Sequence, residues 1–331
     1  MHGMRVPRAS GVKAPSRYVI RMDSSLSDMI GAGAGAGIRW WVRATGKRVA
    51  KRDAPWLDCP MGQPGRIGAQ FYTYLAERER LQVRPAPDAG LLPDFDQLRG
   101  GGFDPDRIRP EVRDFYEHTS GYRLEAWSEA PIPTRLFLWA LTRFVSRRMD
   151  QLNFPVSSLE LAGGMTSEVL PMIDADGQRH YTGWLRRVAA SGRVIYTGLY
   201  SVERPAGHPD PCVKVSFPVP GGSSTVFLRP EAQPDGSFKL ISSGSRFGGP
   251  GFYRMVEADS AHWWVRYIRT LREFFHVYVD RQGTLRTDHT VRFLGLTPLR
   301  LHYKLERVTP AVVTQVPRVA PERIDSRGGG A

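Results

Sequence analysis

Residues Gln282–Arg307 read QGTLRTDHTVRFLGLTPLRLHYKLER. In the first half Leu285, Thr287, His289, Val291 and Phe293 alternate with Arg286, Asp288, Thr290 and Arg292. In the second, Leu299, Leu301, Tyr303 and Leu305 alternate with Arg300, His302, Lys304 and Glu306. A period of two sends successive side chains to opposite faces, so each run predicts a β-strand with one apolar and one wet face, and a short turn joins them. The C-terminal two-thirds of the chain is therefore expected to form an antiparallel sheet with a solvated side.

Working outward, further strands are predicted at Tyr122–Trp127, Glu168–Ile173, His180–Val188, Val194–Val202, Cys212–Phe217, Ser224–Arg229, Phe238–Ser242, Phe252–Glu257 and Phe274–Asp280. The separators are turn-like, such as Asp174–Gly177, Pro234–Gly236 and Asp280–Gly283. His262–Arg272 reads as a helix that crosses the sheet or closes a barrel mouth. Upstream, Pro105–His118 carries Ile108, Val112, Phe115 and Tyr116 at helical spacing, and Pro133–Leu152 is the strongest helical pattern. A shorter amphipathic helix is expected within Arg66–Leu81. Many strands after two helices predict an α+β fold: helices packed on a strongly curved antiparallel sheet or a lipocalin-like barrel. A helix-grip fold is the alternative; that fold ends in a long helix, whereas this chain ends in strands.

The expected organisation is a disordered segment 1–37, a partly ordered extension and linker 38–102, a β-rich main domain 103–310 and a disordered tail 311–331. The run Gly31–Gly37 (GAGAGAG) lacks the G-x-G-x-x-G spacing and a preceding strand, so it reads as a flexible linker. Met22 and Met29 are alternative starts. The 331 residues are 41% hydrophobic, enough for a sizeable core, and the net charge is +13, carried mostly by Arg. The arginines are scattered, which fits a codon bias as well as an anionic partner. Cys59 and Cys212 sit in unlike contexts, so neither a disulfide framework nor a thiolate metal site is expected, and the chain reads as cytoplasmic. No stretch approaches the ~20 apolar residues of a membrane span.

Three stretches resemble a known family: Ile108–Ser120 (IRPEVRDFYEHTS), Phe144–Pro155 (FVSRRMDQLNFP) and Leu299–Tyr303 (LRLHY). Together they are similar to the soluble C-terminal domain of YndJ-type bacterial proteins, over about residues 103–307. They are also loosely similar to a domain appended to some saccharopine-dehydrogenase-like proteins. The resemblance implies no activity, cofactor or catalytic residue. YndJ-type proteins carry membrane spans ahead of this domain, and no such span is visible here, which argues against a transport role.

The candidate sites follow from chemistry. In the helix Pro133–Leu152, Trp139 lies on an apolar face framed by Arg135, Arg143, Arg147 and Arg148. That is the composition of an interfacial membrane helix, and equally of a helix covering the outside of a sheet. His276, His289 and His302 fall on neighbouring strands without ligand spacing, so no metal is expected. Asp288 and His289 are adjacent, hence on opposite faces, and cannot pair directly. The glycine-rich loop Ser242–Gly251 could offer N–H groups to an anion but reads first as a mobile barrel-mouth loop. Cys212 has no placed base, and no G-x-S-x-G occurs. Tyr196, Tyr200, Tyr267, His289 and Tyr303 fall on or near predicted strands and would line an apolar pocket with polar tips.

The expected function is binding of a small hydrophobic or lipid-like ligand in a curved-sheet pocket, with peripheral contact to an anionic membrane. No cofactor is expected, and no nucleic-acid motif is present. The alternatives are an enzyme acting on a lipophilic substrate, through groups such as His289, Tyr303 or Arg269, and a structural module with a filled core.

Overall fold

The computed structural model describes residues 24–65, 67–131, 134, 151 and 164–308. Among the described residues three α-helices of a turn or more, α1 (Ser24–Thr45), α2 (Gln70–Glu79) and α3 (Pro110–Glu117), accompany one large antiparallel sheet. Its strands are β1 (Lys47–Ala50), β2 (Gln82–Val83), β3 (Tyr122–Glu129), β4 (Met165–Ile173), β5 (Arg179–Val188), β6 (Val194–Glu203), β7 (Cys212–Val219), β8 (Gly222–Ala232), β9 (Phe238–Ile241), β10 (Gly251–Asp259), β11 (His262–Ile268), β12 (Leu271–Val279), β13 (Leu285–Phe293) and β14 (Leu296–Arg307).

Every strand predicted between Tyr122 and Arg307 is present, within a few residues at its ends. The ladder runs β2-β4-β5-β6-β7-β8-β9-β12-β13-β14-β3. On the edge away from β7, β8 is long enough to serve two partners: Ser223–Phe227 pair with β10, and Arg229–Ala232 pair with β9. β10 continues through β11 to β1. The sheet does not close into a barrel, since among the described residues no strand pairing joins β3 to β4.

Three sequence expectations are corrected. His262–Arg272 is not a helix: it forms β11 and the turn into β12, because Trp263 and Val265 alternate into a buried cluster while Trp264 and Arg266 do not. The Gly31–Gly37 run lies inside α1, whose last turn is tied to the sheet by a hydrogen bond from Arg266 Nη1 to the Thr45 carbonyl (2.7 Å). Residues 38–102, expected as a partly ordered extension and linker, contribute to both the sheet and the core. β1 and β2 join the sheet, and Leu91, Leu92, Phe95 and Leu98 sit in the main core. The helix expected over Pro133–Leu152, with Arg135, Trp139, Arg143, Arg147 and Arg148, lies outside the described residues apart from Thr134 and Gln151.

The sheet buries its two faces unequally. Behind β4–β6, α2 packs Phe71, Tyr72 and Leu75 against Met172, Leu185 and Leu199. The Tyr72 phenol donates to the Gly198 carbonyl (3.0 Å). Behind β7, β8, β10 and β11, a second cluster forms around Trp56, Leu57, Phe227 and Tyr253. β7 is consequently buried at every position, and its period-two signal is lost. Among the described residues the outer side of β12–β14 has no such cover, so the alternation stays visible there. On the opposite face, one core cluster draws residues from α3 and from strands as distant in the ladder as β4 and β14. Within it Tyr116 meets Phe238, and Phe115 meets Tyr122, in edge-on ring contacts of 5.4 and 5.3 Å.

Candidate functional site

The common face of the sheet encloses a cavity of about 820 Å³, walled by β5–β8, β10 and β12–β14 and reached by Phe115 and Tyr116 of α3. Its lining is overwhelmingly aliphatic and aromatic. The alternation read from sequence positions the wall correctly: Thr287, His289, Val291 and Phe293 of β13, and Leu299, Tyr303 and Leu305 of β14, all line it. The intervening residues face outward, where His302 Nδ1 pairs with Asp288 (2.7 Å) and its ring stacks on Trp127.

Four of the five expected pocket residues are in the wall: Tyr196, Tyr200, His289 and Tyr303. Tyr267 is not. Its ring packs on Tyr253 at 4.9 Å, and its hydroxyl donates to the Pro250 carbonyl (2.9 Å) in the neighbouring cluster. The histidines do not converge, since His289 faces the cavity, whereas His302 and His276 bond outside it to Asp288 and Ser237. Among the described residues no group of three potential ligands could hold a metal. The glycine-rich loop spends polar groups internally: Gly248 N–H donates to the Tyr253 hydroxyl, which donates on to the Gly249 carbonyl. Cys59 and Cys212 are both buried and unpaired, and burial raises both thiols, Cys212 to about 12. Arg269 is exposed in the β11–β12 turn and does not itself line the cavity, although Ile268 and Leu271 on either side do.

Two charged residues in the wall escaped the sequence reading. Arg186 of β5 lies between Trp184 and Val188 on the cavity face and is 7% exposed. Three aromatic rings surround its guanidinium: Trp184 at 4.4 Å, Tyr196 at 4.7 Å and Tyr303 at 5.6 Å. Burial raises the Tyr196 and Tyr200 phenols, Tyr200 to about 12 with Arg186 pulling the other way, so both are protonated at neutral pH. Glu273 of β12 faces His289 across the ladder, Oε1 to Nε2 at 3.7 Å, which is too long for a hydrogen bond. The His289 ring stacks on Phe275 at 3.9 Å. Parity along β5 could have flagged Arg186, but Leu185 is buried behind the sheet, so both faces look apolar there. Glu273 fell between the helix read over His262–Arg272 and the strand read from Phe274.

At one end the wall reaches solvent. Phe293, Leu294 and Leu296 line the cavity and are 45%, 65% and 66% exposed. The β13–β14 turn is Leu294-Gly295, both with positive φ (51° and 83°). A two-residue turn of that kind prefers Asn, Asp or Gly, so an exposed leucine there runs against both backbone preference and solvation. Around this lip Arg269, Arg272, Arg292 and Arg300 are exposed, and among the described residues none is in an ion pair. Arg272 and Arg292 stand directly opposite each other on β12 and β13, a repulsive cross-strand pair. Glu129 of β3 is the acidic neighbour, opposite Arg300.

Among the described residues no helix is long and apolar enough to cross a membrane. No protein-family model matches the chain. No solved structure matches it either. The sequence is 25% identical over 255 residues to a protein of Bacillus subtilis (strain 168) named as an uncharacterized membrane protein, YndJ. The match covers 75% of this chain and 42% of that protein, so the chain spans less than half of its relative's length. By sequence the chain is YndJ-like, a likeness whose name carries no activity, ligand or partner.

Proposed function

We propose that the protein binds a small hydrophobic or lipid-like ligand within a cupped antiparallel sheet, and that it does so at an anionic membrane surface. The observation that carries this reading is the apolar cavity of about 820 Å³, which lies within the ~300–1,000 Å³ range of ligand pockets. A sealed apolar void of that volume would cost on the order of 20 kcal/mol, at about 24 cal/mol per Å³. That exceeds the roughly 5–15 kcal/mol stability of an ordinary domain. The space is therefore sustainable only as one open to solvent or to an apolar guest. A structural module with a filled core has no use for it.

We place the membrane contact at the lip rather than on the helix expected over Pro133–Leu152. Phe293, Leu294 and Leu296 offer apolar side chains to acyl chains, and the four surrounding arginines offer charge to anionic headgroups. We read the chain as the counterpart of the C-terminal domain of YndJ-type proteins, which would set the lip beside a bilayer.

Native mass spectrometry and thermal shift across a panel of fatty acids and phospholipids test the binding. A ligand held at 100 times its Kd adds about 2.7 kcal/mol to native stability. No bound lipid and no shift across the panel would end the reading. A second reading, an enzyme acting on a lipophilic substrate in the same cavity, is favoured by the Glu273–His289 approach inside an apolar wall. Turnover of lipid esters that disappears in His289→Ala while lipid binding persists would select it; recovery of every lipid unchanged rejects it.

A further inference from the structure

Three cations are buried among the described residues: Arg186, Lys214 and Arg254. Two of them are satisfied by backbone carbonyls. Lys214 Nζ donates to the Asp58 carbonyl, and Arg254 Nη1 donates to the carbonyls of Ser223 and Met255, both at 2.8 Å. Arg186 is different. Its hydrogen bond among the described residues is a long one, 3.4 Å to the Tyr303 hydroxyl, and its Nε has no partner there. Among them no carboxylate lies within 4.0 Å of it; Glu273, the acid in the same wall, faces His289 instead.

A guanidinium is charged at any pH a protein survives and carries five N–H donors. The rings of Trp184, Tyr196 and Tyr303 favour the charge through their faces. Beyond the long bond to the Tyr303 hydroxyl they supply no acceptor for the in-plane N–H groups, which burial has removed from water. What the arrangement lacks is an anion in that plane. The hydroxyls of Tyr196, Tyr200 and Tyr303, in the same wall, are further donors to such a group.

We infer that Arg186 is the head-group site of the cavity, and that the ligand is an anionic amphiphile: a carboxylate or phosphate bound by Arg186 and the neighbouring phenols, with an apolar chain in the remaining volume. This rests on the ligand-binding reading above and narrows it to one chemical class. The head group lies inside and the chain points to the lip. Tyr303 is seven residues from Leu296 along β14, about 24 Å at the rise of an antiparallel strand.

The test is titration of the full chain with three probes of one chain length, dodecanoate, dodecyl phosphate and 1-dodecanol, followed by calorimetry. Wild type is expected to hold at least one anionic probe tenfold or more tightly than the alcohol. Arg186→Gln is expected to remove that preference while still binding the alcohol. Either anion winning supports the assignment, and which one wins separates a free fatty acid from a phosphate-bearing lipid. Arg186→Lys keeps the charge but loses the planar fork, so its preference should shrink. It also serves if the glutamine variant does not fold. Equal affinity for anion and alcohol in wild type, or an unaltered preference in the variants, overturns the role of Arg186 and leaves the cavity reading standing. No binding of any probe overturns both.

Discussion

Substituting Val291 by tryptophan asks directly whether the cavity is space or core. Val291 is half-buried on β13, between His289 and Phe293, and opposite Glu273 and Leu299 on the flanking strands. It lines the cavity. In a filled interior the added atoms would force neighbours off their rotamers, at a cost of about 1–3 kcal/mol. In a hollow of about 820 Å³ they enter free volume. An indole buries roughly 150–250 Å². If about a third of that is newly covered, the gain is on the order of 1–2 kcal/mol at about 25 cal/mol per Å². The ordering of a larger side chain opposes this with up to about 1.5–2 kcal/mol. The net is within about 1 kcal/mol of zero, a Tm shift of about 2–4 °C or less in either direction.

Val213→Trp is the matched control. Val213 is fully buried in the same core cluster but does not line the cavity, so the full overpacking cost is expected. Differential scanning calorimetry of the three proteins, with the lipid panel repeated on each folded one, is the assay. Val291→Trp should melt near wild type and bind the cognate lipid at least tenfold more weakly. A fall in Tm matching that of the control, with lipid affinity intact, would refute the reasoning, because the indole would then have found no room and the ligand would sit elsewhere.

Two further outcomes follow from the lip and from His276. In Leu294→Asp/Leu296→Asp, co-sedimentation with phosphatidylglycerol vesicles should fall at least tenfold, since burying one leucine is worth about 1.5–3 kcal/mol; wild-type binding should also weaken as salt screens the four arginines. Equal sedimentation of variant and wild type removes the lip from the mechanism. For His276, burial and then the Lys239 ammonium hold the imidazole below its ordinary value, against the pull of Asp235 and Asp288. The unfolded chain therefore binds more protons than the native one between the folded value and about pH 6.5, so this stability is present above that pH and lost as pH falls through it. The decline in Tm from about pH 8 to pH 5 should be shallower in His276→Asn, with His208, also lowered by burial, keeping part of the slope; an identical slope in the variant counts against this account.

The strands were legible because they announce themselves locally. Alternation in Leu285–Phe293 and Leu299–Arg307 reports a sheet with one wet face, and it even sorted His289 inward from His302 outward. Turn chemistry separated the remaining strands, and four of the five residues assigned to a pocket are in its wall. Where the sheet is covered on both sides, local pattern fails. β7 is buried throughout, and along β5 nothing distinguishes the face that meets α2 from the face that carries Arg186. The His262–Arg272 segment misled for the same reason, being aromatic on both sides of a strand that other layers cover.

Composition and period thus determined the element type, the antiparallel pairing and which side of β13 and β14 looks inward. Only the tertiary structure decided that these inward sides enclose a hollow, and that Arg186, Glu273 and His289, from β5, β12 and β13, share its wall. The physical reason is one of range. A strand's pattern depends on its own residues and nearest rows. Whether facing side chains meet or leave a gap depends on the distance between rows more than 80 residues apart in the chain, and no local signal encodes that distance.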